Sequence, residues 1–461
     1  MDDRHLVVRL SDEGAGRRDW WLVGTAGTRT NLTAALKQPP QAFRRSKGGG
    51  LVAVADDGLF SLKPGAHALV SIGHVLAGSS IAWPLDPGIR TSSLLVESDA
   101  ANGARRILPI ALNGGVLGKG ATLPASAALV DADLSAGTLL SSDGTTDGLF
   151  LRETDLSHGR TRAGLSLDTD LASIDWGRRM LIDYAGRYGV RLKGAVILPP
   201  GFKPGLRYPT LVWVYDGYQV DGLGGEYFTD PRMPGIYNLQ AYAARGYVVL
   251  VPSMPMPTES DRNDVYAHVG DGVMPAIDRL VELGIADPDR LGVFGQSYGG
   301  YSVYALVTQT HRFKAAVAMA GITDLTGFSD QFDATAHGYP GIENEGSANP
   351  TIADQFGRHV PPHADYVGYW RNSPLAYVDR VETPLLMIHG EHDDRGPSSQ
   401  AESFFSGLYV QGKTARLLRY GGETHSLAQS PANVRDIFGQ TVGWFDKYVK
   451  GHVEDASTPA P

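Results

Sequence analysis

Arg290-Leu291-Gly292-Val293-Phe294-Gly295-Gln296-Ser297-Tyr298-Gly299-Gly300-Tyr301-Ser302-Val303-Tyr304-Ala305-Leu306-Val307 is the stretch that decides the fold. Its first five residues read as a short buried strand. Its end, from Gly300 onward, reads as a helix. Between them stands Gly295-Gln296-Ser297-Tyr298-Gly299, and a Gly-x-Ser-x-Gly turn joining strand to helix forms a nucleophile elbow. In so tight a turn, side chains two residues either side of the serine would collide, and Gly295 and Gly299 remove them. The Ser297 hydroxyl is then expected above the sheet, with helix N-terminal N–H groups facing any developing anion. The motif alone is weak in a chain of 57 glycines. The strand before it and the helix after it supply the specificity.

Outward from the elbow, strands alternate with helices. Tyr208–Tyr215 reads as a strand buried on both faces, and Tyr247–Val251 as the next strand, ended by Pro252. Strands are also expected at Ala315–Ala320, Pro384–Ile388 and Thr414–Leu418. Helices are expected at 239–244, 271–283 and 434–449. This rhythm predicts an α/β class fold over 176–461, a doubly wound, mostly parallel sheet. Such sheets bind ligands at the carboxyl ends of their strands, where Ser297 lies.

A serine hydroxyl needs a base, and the base needs an orienting carboxylate. In α/β-hydrolases the order is serine, acid, histidine. Strand 384–388 runs into His389-Gly390-Glu391-His392-Asp393-Asp394-Arg395, and strand 414–418 into Tyr420-Gly421-Gly422-Glu423-Thr424-His425-Ser426. Both loops emerge at the edge that carries the elbow. The acid is therefore Asp393 or Asp394, and the base is His425. His389 and His392 share the acid's own loop, which disfavours either as the base.

These residues resemble a known family. Gly295-Gln296-Ser297-Tyr298-Gly299-Gly300-Tyr301 is similar to the elbow of the prolyl oligopeptidase family of serine peptidases, and His389-Gly390-x-x-Asp393-Asp394 to its acid loop. The resemblance extends over about 185–450. It implies Asp393 as the acid and an oxyanion hole made of the Tyr298 N–H and the Tyr215 hydroxyl. It implies hydrolysis of peptide bonds through an acyl-enzyme, without metal or organic cofactor. It also implies a β-propeller before the catalytic domain. A carboxylesterase using the same triad is the alternative, and a non-catalytic protein with a hydrolase fold the remote one. Family dipeptidyl peptidases hold a substrate amino terminus with a glutamate pair, and no Glu-Glu occurs in this chain. Candidate pocket residues are Phe332, Tyr366, Tyr369 and Trp370, and Arg395 is suited either to a substrate carbonyl or carboxylate or to pairing with Asp394.

Residues 1–175 read as all-β: apolar or alternating runs such as 19–23, 51–55, 93–97 and 148–152, separated by turn clusters. Paired strands recur at roughly 30 to 45 residues, near the length of a propeller blade, and about four blades fit. This predicts a partial or truncated propeller-like domain, with a β-sandwich as the alternative. A net charge of −9 argues against nucleic acid or anionic membrane as partner. No apolar run reaches membrane-spanning length, and the acidic start, Asp2-Asp3, does not suit a signal peptide. The absence of cysteine excludes disulfides and thiol chemistry. A cytoplasmic protein acting on a small peptide or ester is expected, with the periplasm and a homo-oligomeric state left open.

Overall fold

The structure, a computed structural model, describes residues 5–11, 18–86, 88–100, 103–124, 126–145, 147–223, 235–256, 264–330 and 355–451. The chain divides into two compact units, Met1–Ile174 and Asp175–Pro461.

The second unit is built on one eight-stranded sheet. Its strands are Arg179–Ala185 (β1), Arg191–Ile197 (β2), Tyr208–Trp213 (β3), Val248–Pro252 (β4), Ala286–Gln296 (β5), Ala315–Met319 (β6), Leu385–Gly390 (β7) and Ala415–Tyr420 (β8). Their spatial order is β1-β2-β4-β3-β5-β6-β7-β8. β1 and β2 form an antiparallel hairpin, β2 runs antiparallel to β4, and every later pairing is parallel. Every residue of β4, β6 and β7 is buried, as a strand covered on both faces requires. β8 lies at the edge and mixes apolar residues with Arg416 and Arg419, which blunts an otherwise open strand.

Successive residues point to opposite faces of the sheet, so each strand feeds two cores. Val212, Val248, Leu250 and Val293 pack on one face with residues of the helices Gly270–Glu282 (α1), Tyr298–Val307 (α2) and Ser399–Tyr409 (α3). Leu211, Val249, Val251 and Phe294 pack on the other with Ile437 and Phe445 of Pro431–Tyr448 (α4), and with the short helix Leu239–Ala243. β5 begins four residues before the expected Arg290, because Ala286 pairs with Tyr208 ahead of an irregular, partly exposed Asp287-Pro288-Asp289 segment.

Among the described residues, the first unit holds four sheets of three, five, four and four strands. Each is largely a run of consecutive antiparallel strands. The exception is Arg44–Ser46, which pairs in parallel with Arg90–Thr91 across a long stretch of sequence. Three small cores lie between successive sheets. Leu22 meets Leu62, Val54 meets Leu94 and Val96, and Leu95 and Ile107 meet Leu139.

Candidate active site

The elbow forms where β5 ends and α2 begins. Ser297 has φ 61° and ψ −121°, a conformation costly for any residue with a side chain. Its N–H donates to Met319 O of β6 at 2.9 Å, and its carbonyl accepts the Tyr301 N–H at 3.1 Å, so neighbours on both sides hold the strained turn. A Cβ on Gly295 would lie 2.6 Å from the carbonyl oxygens of Val214 and Gly299, and one on Gly299 would lie 2.2 Å from Val214 O. Only glycine fits either place. Tyr298 is the first residue of α2, so its N–H has no acceptor within the helix and points out of its N-terminus.

β7 and β8, which lie beyond β6 in the sheet, deliver two loops to the same edge. His425 bridges them to the elbow. Its Nε2 lies 2.7 Å from Ser297 Oγ, and its Nδ1 lies 2.9 Å from each Asp393 carboxylate oxygen. A carboxylate accepts only, so Nδ1 carries the hydrogen and Nε2 accepts from the serine hydroxyl. The Asp393 side chain is fully buried. Its Oδ1 accepts the backbone N–H groups of Arg395 and Gly396 at 2.9 Å, and His389 Nε2 lies 3.1 Å from Oδ2. Burial alone would raise the Asp393 pKa. The ring nitrogens of His389 and His425 outweigh it and hold the carboxyl well below the usual range. Asp394, one residue on, is exposed.

A cavity of about 330 Å³ opens over this group. Among the described residues, Tyr215, Tyr237, Gln296 and Arg395 line it around Ser297 and His425, with Asp394, Thr424 and Ser426. Tyr215 follows the end of β3, in a turn closed by the Tyr218 N–H on Tyr215 O at 3.1 Å and the Gly217 N–H on Met254 O at 2.7 Å. Its ring meets that of Tyr298 edge-on, at 6.5 Å between centroids. The next residue, Asp216, is buried, and burial pushes its carboxyl up to about 7 against the opposing pull of Tyr298 and the Gly217 N–H. Arg395 is exposed at the cavity.

Three of the four expected aromatic pocket residues sit elsewhere. Tyr369 is fully buried and donates its hydroxyl to Val360 O at 2.9 Å, a core role. Tyr366 and Trp370 are exposed and stack on one another along Tyr366–Arg371. None of the three lines the cavity over Ser297. Phe332 lies outside the described residues. Sequence reasoning passed over Tyr237, Thr424 and Ser426. It also passed over the Gln296 side chain, which donates to the His425 carbonyl at 2.7 Å and ties elbow to base loop. Gln296 is the variable position of the Gly-x-Ser-x-Gly motif, which carries no signal by itself.

Residues 236–452 match the prolyl oligopeptidase family. This segment is a prolyl oligopeptidase family domain. The chain is 32% identical over 281 residues to the uncharacterized peptidase YuxL of Bacillus subtilis, an alignment that covers 58% of this chain and 39% of that protein. It is 31% identical over 265 residues to dipeptidyl-peptidase 5 of Porphyromonas gingivalis, covering 55% of this chain and 36% of the relative. The matched segment thus spans well under half the length of either relative. Among solved structures, Porphyromonas gingivalis dipeptidyl peptidase 4 superposes with a TM-score of 0.65 at 16% identity, over 96% of this chain and 62% of that one. A Mycobacterium tuberculosis puromycin-hydrolyzing peptidase gives 0.63 at 19% identity, over 96% and 68%. At these identities the likeness is one of fold. It covers both units, the all-β one as well as the prolyl oligopeptidase family domain.

Proposed function

We propose that this chain is a serine peptidase that cleaves peptide bonds through an acyl-enzyme, with Ser297 as nucleophile, His425 as general base and Asp393 as the acid that orients it. The observation that carries this reading is the single imidazole spanning 2.7 Å to Ser297 Oγ and 2.9 Å to Asp393, at the carboxyl edge of the sheet. As Oγ attacks the acyl carbon, His425 Nε2 takes its proton. Asp393, ionised and buried, keeps the hydrogen on Nδ1 and stabilises the imidazolium. The Tyr298 N–H and the Tyr215 hydroxyl receive the tetrahedral oxyanion. His425 then protonates the leaving amine, and water, activated by the same histidine, releases the acyl group. Arg395, a cation facing the cavity, meets a substrate carbonyl or carboxylate.

The named relatives support amide rather than ester chemistry, since they are described as peptidases, including a lasso peptide isopeptidase of Asticcacaulis excentricus. For the first unit, cores placed between successive sheets support a reading as blades of a truncated propeller rather than a two-sheet sandwich. Reaction with a fluorophosphonate followed by peptide mass mapping tests the nucleophile. The reading expects one label per chain, on Ser297, absent in Ser297→Ala. An unlabelled wild-type protein, or a label on another serine, would reject it.

A further inference from the structure

The loop that carries His425 contains a second buried charge that the mechanism above does not use. Glu423 is fully buried. Its Oε2 accepts the Gln429 N–H at 2.9 Å, and its Oε1 accepts the Ser430 N–H and the Asn433 side-chain amide, each at 2.9 Å. Taking a carboxylate out of water is unfavourable unless such donors replace the water. Here burial would raise the carboxyl pKa, and the N–H groups of Gln429, Asn433 and Ser430 reverse the direction and hold it below the usual range.

The ring these bonds close runs from residue 423 to residue 430, and His425 lies inside it. The main chain of Glu423 faces the other way, toward the acid. Its carbonyl accepts the His392 N–H at 2.9 Å, one residue before Asp393. The end of β7 packs so closely here that a Cβ on Gly390 would lie 2.5 Å from Glu423 O and 2.7 Å from Thr424 O. One residue therefore fastens the base loop to the head of α4 through its side chain, and to the acid loop through its backbone. An apolar anchor is already present in the loop, because Leu427 is buried in the core beneath. A buried charge is not needed there to fill space.

We propose that Glu423 is the positioning residue of the base, its carboxylate setting where His425 stands between Ser297 and Asp393. The proposal rests on the serine peptidase reading and adds a determinant of it. The competing role is a helix cap on α4 that matters to stability alone.

The test uses the full chain and compares wild type, Glu423→Gln, Asn433→Ala and Ser297→Ala. A glutamine keeps the volume of the side chain but turns an amide NH₂ toward at least one of the three N–H donors. Expected for Glu423→Gln is a fall in kcat of roughly 10- to 100-fold, the scale of a misplaced catalytic group, with KM within about threefold of wild type. The downfield proton signal of the His425–Asp393 hydrogen bond shifts or broadens in the same variant and is retained in Ser297→Ala. Asn433→Ala removes one donor, keeps the charge, and moves both readouts the same way by less; it decides the matter alone should Glu423→Gln not fold. A lowered melting temperature with wild-type kcat per folded molecule and an unmoved proton signal overturns the proposal. A wild-type protein with no hydrolysis that Ser297→Ala removes would reject the peptidase reading instead, and the proton signal would still report whether Glu423 places His425.

Discussion

At the residue scale, two neighbouring aspartates show what sequence separates and what it does not. Asp393 and Asp394 share one loop, so composition and order fit either as the acid. The structure separates them by burial: Asp393 is enclosed and bonded to His425, and Asp394 is exposed. Asp393→Asn is expected to lower kcat by about 10³- to 10⁴-fold, through the wrong imidazole tautomer, and Asp394→Asn by less than about tenfold. Paired kcat measurements check this, and the reverse ranking would move the acid by one residue. Tyr215→Phe is expected to lower kcat by about 10²-fold or more with KM little changed, as for loss of one oxyanion donor; a wild-type rate would return the phenol to a packing role. Asp216 gives a pH prediction. Its folded pKa of about 7 lies above the unfolded value, so its contribution to stability is fully present below about pH 4 and is lost as pH rises through 7. Asp216→Asn is therefore expected to be the more stable protein at pH 8, by up to about 4 kcal/mol, with the difference closing at pH 4. Denaturant titrations at the two pH values measure it, and an equal difference at both would contradict the assignment.

At the element scale, the parts that were legible are those with a local signature. β4 and β6 are continuous apolar runs of strand length, β3 and β7 are apolar but for Thr210 and His389, and the elbow is a glycine-framed serine between a strand and a helix. Both properties are written within a few residues. The parts that were not legible are contacts between distant segments. Gln296 reaches His425 across 129 residues, and the Glu423 carbonyl accepts the His392 N–H of a loop that follows a different strand. The Tyr366–Trp370 stretch misled for a related reason: aromatic residues suit a pocket wall, a core or an exposed face equally well, and only packing chooses. Gly299 is the element-scale test, because the elbow exists only if α2 can approach β3 to backbone distance. Gly299→Ala places a Cβ 2.2 Å from Val214 O. It is expected to cost at least about 2 kcal/mol of stability and to lower activity even where folded, measured by thermal melts alongside kcat.

At the scale of the whole molecule, the two units have separate cores. The residues of the cores on both faces of the eight-stranded sheet all lie at position 180 or later, and those of the three small cores all lie at 156 or earlier. Residues 175–461 expressed alone are therefore expected to unfold in one cooperative transition, and a non-cooperative melt would show that this unit depends on the first. The first unit was legible as strands and turns but not as sheets, because a partnership such as Arg45 with Arg90 joins strands far apart in sequence. No helix among the described residues is long and apolar enough to cross a membrane.

The most direct measurement of the central claim is a rate comparison of the purified chain and Ser297→Ala on two panels: peptidyl p-nitroanilides with free and blocked amino termini, and p-nitrophenyl esters of increasing length. The account predicts amide cleavage by wild type that Ser297→Ala abolishes while remaining folded. Ester turnover with negligible amide cleavage, or amide cleavage that survives in Ser297→Ala, would contradict it.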